Sequence, residues 1–78
     1  MRKTWRPKFK VGDHLLFASH VSSKVLGGTG FLRDDNLIVV DRSVRERSRD
    51  PRANRYFVEA AGERDARGWF YEDDLEAF

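Results

Sequence analysis

Cysteine is absent from the 78 residues, so disulfide staples and thiolate metal sites are excluded together. A reducing compartment suits such a chain. The start, "MRKTWRPKFK", is basic, but no apolar run of about 7 to 15 residues follows it, as a secretory signal would need. No stretch is long enough for a membrane span either, so a cytoplasmic protein without a membrane partner is expected. Also missing is any recognisable set of nucleophile, base and orienting acid. The "GGTG" at 27–30 lacks the Lys-Ser/Thr that would follow it in a phosphate-cradling loop and reads as a flexible turn. His14 and His20 are six positions apart with only scattered carboxylates near them, a spacing that fits no zinc site. The acidic "EDD" at 72–74 reads as a solvated face or helix-start charge and not as a Mg²⁺ or Ca²⁺ site. No catalytic residue, cofactor or metal is expected, and the chain is read as a non-enzyme.

What is present is charge, unevenly spread. The formal net charge is only +2, with 36% charged, 40% hydrophobic and 13% aromatic residues, the make-up of a folded domain with a highly charged surface. The first ten residues carry +5 through Arg2, Lys3, Arg6, Lys8 and Lys10. Residues 42–55, "RSVRERSRDPRANR", hold six arginines and no lysine against two acids, while Glu72, Asp73, Asp74 and Glu76 place −4 near the end. A single domain of this length buries only about 60% of the surface its unfolded chain exposes. Its core is therefore marginal, and self-association into a homodimer or larger ring is expected to add to it.

The apolar residues come in short alternating or β-rich runs, and no window sustains a helical stripe. In "FKVGDHLLFAS" a turn at Gly12-Asp13 leads into a strand with Val11, Leu15 and Phe17 on one face. "HVSSKVLGGTG" is a long loop. "FLRDDNLIVVDRSV" reads as a hairpin, Phe31 to Arg33 and Leu37 to Val44, turning at Asp34-Asp35-Asn36. Pro51 breaks the chain before "RYFVEAA", a strand with Tyr56, Val58 and Ala60 on one face and Phe57 and Glu59 on the other. "GERDARG" turns the chain back into "WFY", and "EDDLEAF" closes as one helical turn anchored by Leu75. Five short strands cannot leave both faces of a flat sheet dry, so an all-β, five-stranded small barrel is expected, with residues 1–8 as a basic tail and 9–78 as the domain.

The order of "KFKVGDHLLF", the "GG.G" loop, "RYFVEA" and "GWFYEDDLEAF" resembles the SH3-like barrel superfamily, particularly small bacterial and phage domains of that shape, over residues 8–78. Its most specific parts are Val11 ahead of Gly12-Asp13, and Gly68-Trp69 followed by an acidic turn ending at Leu75-Glu76. Related KOW and Tudor-like modules imply binding to RNA or peptides through loops and exposed aromatics. The layout is also similar to the type II plasmid-borne dihydrofolate reductase. That enzyme's Val-Gln-Ile-Tyr segment falls near Arg67-Gly68-Trp69-Phe70 here, where its ligand-gripping Gln has no counterpart and Trp69 would crowd a shared pore.

Two features point to recognition. Arg42, Arg45, Arg47, Arg49, Arg52 and Arg55 offer guanidinium forks for an anionic partner, and arginine stacks and forks where lysine only attracts. Trp69, Phe70 and Tyr71 lie on one strand, so either Phe70 or the Trp69/Tyr71 pair must face outward, toward a partner or a stacked base. Trp5, in the basic tail, is expected to pack on the domain's own surface. The leading expectation is a non-enzymatic module contacting nucleic acid or a nucleoprotein assembly through the arginines, Trp69 and Tyr71. A protein-interaction module or homo-oligomeric adaptor is the alternative, and an oligomeric reductase the third reading.

Overall fold

A computed structural model describes residues 7–44, 52, 54–62 and 65–78. Five strands follow one another: β1 (His14–Phe17), β2 (Leu37–Ser43), β3 (Arg55–Ala60), β4 (Arg67–Tyr71) and β5 (Leu75–Ala77), with a 3-10 turn over Glu72–Asp74. They form a single antiparallel sheet in the order β4-β3-β2-β1-β5. Alternation decides the inward face: Leu15 and Phe17 on β1, Leu37 and Val39 on β2, and Tyr56, Val58 and Ala60 on β3 are all buried.

The expected SH3-like barrel is not formed. β4 and β5 are the two edges of an open sheet, and no ladder joins them. Closure is one way to keep the apolar face of a sheet dry, but this chain covers that face with its long loop. Ala18, Val21, Leu26 and Phe31 are buried there with Phe9. Phe31 stands edge-on to Phe17 and Phe70, with ring centroids 5.5 and 5.3 Å away, and Phe17 meets Phe70 at 5.1 Å. Each large side chain so covered contributes about 1.5–3 kcal/mol of burial, without any pairing of the edges.

The same loop explains why Phe31 to Arg33 is not a hairpin strand. The Leu32 N–H donates to the Asp35 carboxylate at 2.7 Å, and the Asp35 N–H to the Leu32 carbonyl at 3.0 Å. These local bonds use the backbone that a ladder would need. The fifth strand comes instead from the end of the chain, where the Phe17↔Leu75, Leu16↔Glu76 and Leu15↔Ala77 pairs extend what was read as a helical turn. Val11 is exposed in the turn before β1 and does not share the Leu15 face. Gly12 makes that turn with φ +96° and donates its N–H to the Val39 carbonyl at 2.7 Å, a backbone state open mainly to glycine.

One irregularity matters for the site. The β2–β3 register slips between Val39 and Asp41, so Val40 is an extra residue. Past it, Asp41 lies opposite Phe57 and Arg42 opposite Tyr56, which turns Arg42 to the inward face. Its Nη1 donates to the Phe9 carbonyl at 2.8 Å. No helix among the described residues is long and apolar enough to cross a membrane.

A candidate binding face on β3 and β4

The β3–β4 register places Arg55 opposite Tyr71, Phe57 opposite Trp69, and Glu59 opposite Arg67. All six lie on the face turned away from the core, because Tyr56, Val58, Gly68 and Phe70 occupy the alternating inward positions. Trp69 and Tyr71 keep 46% and 37% of their surface exposed. Phe57 is half-buried and tilts against Trp69, with centroids 5.3 Å apart.

Cations stand over these rings. The Arg52 guanidinium carbon lies 5.0 Å from the centroid of Tyr71, and that of Arg55 5.7 Å from Trp69. At exposed sites such pairs contribute about 0.5–1 kcal/mol, enough to favour these side-chain positions over the rings. Arg67 closes the other end, with Nε 3.8 Å from a Glu59 oxygen and Nη2 3.4 Å from an Asp65 oxygen. The result is a strip of rings with two guanidinium groups at the Tyr71 end and one, flanked by two carboxylates, at the Arg67 end.

Behind the cationic end lies a buried polar knot. Glu72 Oε2 accepts from the Tyr56 hydroxyl at 2.6 Å, the Lys8 N–H at 3.0 Å and Asn54 Nδ2 at 3.4 Å. Burial, and then the adjacent Glu72 carboxylate, push the Tyr56 hydroxyl well above its ordinary pKa. The knot fixes Asn54 and the 3-10 turn, and thereby the spacing of Arg55 and Tyr71 across the strand ends.

Of the residues singled out in the sequence, Arg52, Arg55, Trp69 and Tyr71 are brought together on this face. Arg42 is not, because the Val40 bulge ties it inward. Arg45, Arg47, Arg49, Trp5 and the tail's Arg2, Lys3 and Arg6 lie outside the described residues. The outward choice between Phe70 and its neighbours falls on Trp69 and Tyr71, with Phe70 packed against the core. Phe57 and Arg67 belong to the face but were not singled out. The alternation of "RYFVEA" did place Phe57 away from Tyr56, but only the register shows it opposite Trp69. Among the described residues no group of three His, Cys, Asp or Glu is placed to hold a metal ion. His20 Nε2 meets the Asp74 carboxylate at 3.0 Å, joining the loop to the 3-10 turn.

Comparison with protein families, curated proteins and solved structures found no match. With the sheet open and no family behind it, the resemblance to SH3-like barrels and to the type II reductase is withdrawn. The RNA contact and the oligomeric reductase that it implied lose that support.

Proposed function

We propose that the protein is a binding module that takes a polypeptide partner on the outward face of β3 and β4. The observation that carries this reading is the ring cluster of Trp69 and Tyr71, exposed on the edge strand β4, with half-buried Phe57 beside Trp69 on β3 and Arg52 and Arg55 over the rings. Isolated exposed apolar residues need no explanation, but aligned rings with arginine at their rim have the composition of interface anchors. A polypeptide is favoured over a nucleic acid because the cations on this face lie over rings or beside carboxylates, and β4 has an edge with which no described strand pairs.

The chain has two tryptophans, so a Trp5→Phe background makes Trp69 the single indole. Titrating acidic and basic extended peptides, and single-stranded oligonucleotides, against its fluorescence tests the reading. Acidic peptides are expected to change the emission, and Trp69→Ala or Arg55→Ala, followed by amide shifts in NMR spectra, to weaken binding about tenfold or more. Oligonucleotide binding at about 50 mM salt with no response to any peptide would replace this function with a nucleic-acid one.

A further inference from the structure

The hydrogen-bonding phase of the β3–β4 ladder identifies which backbone groups of β4 face outward. The Ala60 N–H donates to the Ala66 carbonyl at 2.9 Å, and the Glu72 N–H to the Asn54 carbonyl at 3.1 Å. Bonded and non-bonded pairs alternate along an antiparallel ladder. Between these two ends, Val58–Gly68 and Tyr56–Phe70 are therefore the bonded pairs, and Arg55–Tyr71, Phe57–Trp69 and Glu59–Arg67 the non-bonded ones. Gly68 and Phe70 spend their N–H and carbonyl groups on β3. Arg67 and Trp69 direct theirs to the open edge, as Tyr71 does its N–H, and no described strand pairs with them; the Tyr71 carbonyl, at the N-cap of the 3-10 turn, accepts that turn's first bond.

Resting on the binding role proposed above, we infer that this edge is a strand-addition site: β4 takes an extended segment of an acidic partner as a sixth, antiparallel strand. The N–H groups of Arg67, Trp69 and Tyr71 and the carbonyls of Arg67 and Trp69, spaced two residues apart, match one edge of a five-residue β-strand. Directly opposed residues share a face of a sheet. Partner residues opposite Arg67, Trp69 and Tyr71 thus lie beside the rings, and those opposite Gly68 and Phe70 turn to the inward side. Gly68 has no side chain there, and a Cβ built on it would lie 3.6 Å from the Phe31 ring and 3.8 Å from the Phe70 ring, in ordinary contact. A small apolar residue opposite Gly68 can therefore cover those two rings at the edge.

Charge sets the direction and the acidic position. Arg67 already has Glu59 and Asp65 beside it, whereas Arg55, opposite Tyr71, has its guanidinium over the Trp69 ring. The partner's carboxylate belongs opposite Tyr71, which in an antiparallel strand makes it the first of the five residues. The pattern is acid, apolar, any, apolar, any. The other edge does not offer the same site: β5 has three residues, Leu75–Ala77, next to Asp73 and Asp74 and with Glu76 within it, the short and charged kind of edge that resists pairing.

The probe is the capped peptide Ser-Glu-Val-Thr-Val-Thr-Ser, followed by amide shifts and hydrogen exchange in the full chain. Binding is expected to slow exchange at Arg67, Trp69 and Tyr71 and to leave Gly68 and Phe70, already bonded to β3, as they were. N-methylation of the central Thr, whose N–H would reach the Trp69 carbonyl, should weaken binding about tenfold, roughly the worth of one hydrogen bond. N-methylation of the second Val, whose N–H points away from β4, should change it less than about twofold. Equal loss from both, or none from either, while the Trp69 emission still responds, overturns strand addition and leaves the ring face as the binding site. Absence of any peptide response overturns both. Exchange protection at these three amides that rises with protein concentration and needs no peptide would make the occupant a second copy and overturn the acidic partner.

Discussion

At the scale of single residues, the most consequential group is the Glu72 carboxylate, buried to 3% exposure and accepting from a hydroxyl, a side-chain amide and a backbone N–H on one oxygen. Removing it takes the acceptor from the Tyr56 hydroxyl and the Lys8 N–H, so Glu72→Ala is expected to cost about 2–4 kcal/mol in chemical denaturation, and Glu72→Gln less. The Tyr56 hydroxyl supplies a pH test. Its folded pKa is raised, first by burial and then by Glu72, so the folded state holds this proton more tightly than the unfolded chain does. Stability from this source is complete below the ordinary tyrosine value near 10 and declines as pH rises past it, because there the unfolded state binds fewer protons. Tyr56→Phe should remove that part of the alkaline decline, at a constant cost of about 1.5–3 kcal/mol for the lost bond to a charged acceptor. Denaturation midpoints for both proteins at about pH 8 and pH 11 check the sign.

At the scale of elements, alternation made β1, β2, β3 and β4 legible, because each turns one face to the core and period two is all that such a strand needs. Three things were not legible. The Val40 bulge leaves no mark in a run such as "LIVVDR", where either phase keeps valine or isoleucine inside. The turn at Asp34 and Asp35 looked like a hairpin tip because the same residue types make both, and only the bond from Leu32 to Asp35 tells them apart. β5 was hidden by its length, since three residues carry no period. The bulge has a measurable consequence for Arg42, which the linear sequence grouped with the partner-binding arginines. Arg42→Ala is expected to destabilise the fold by about 1.5–3 kcal/mol through its bond to the Phe9 carbonyl. It should leave peptide affinity unchanged within about twofold, whereas Arg55→Ala should do the reverse. A denaturation curve and a titration on each variant separate the two roles.

At the scale of the whole molecule, the question is what an open sheet does with its edges. A covered face removes the need for closure, and the loop between β1 and β2 provides that cover, a tertiary choice that no local pattern announces. Two edges are then left, one short and acidic, the other bearing rings, three outward-facing N–H groups and two outward-facing carbonyls. The phase of that second edge can be tested without any ligand. Tyr71 has φ −74° and ψ 156°, close to the geometry proline imposes, and its N–H faces the open edge. Phe70, one residue earlier, donates its N–H to β3. Proline at position 71 should therefore cost no more than about 1 kcal/mol beyond alanine there, while proline at 70 should cost about 1–3 kcal/mol beyond alanine, because it strands the Tyr56 carbonyl. Chemical denaturation of Tyr71→Pro, Tyr71→Ala, Phe70→Pro and Phe70→Ala measures both differences. The opposite order would put the Gly68 and Phe70 amides on the open edge and move the strand-addition register by one residue, which would carry the partner's acidic side chain to the wrong face of the sheet.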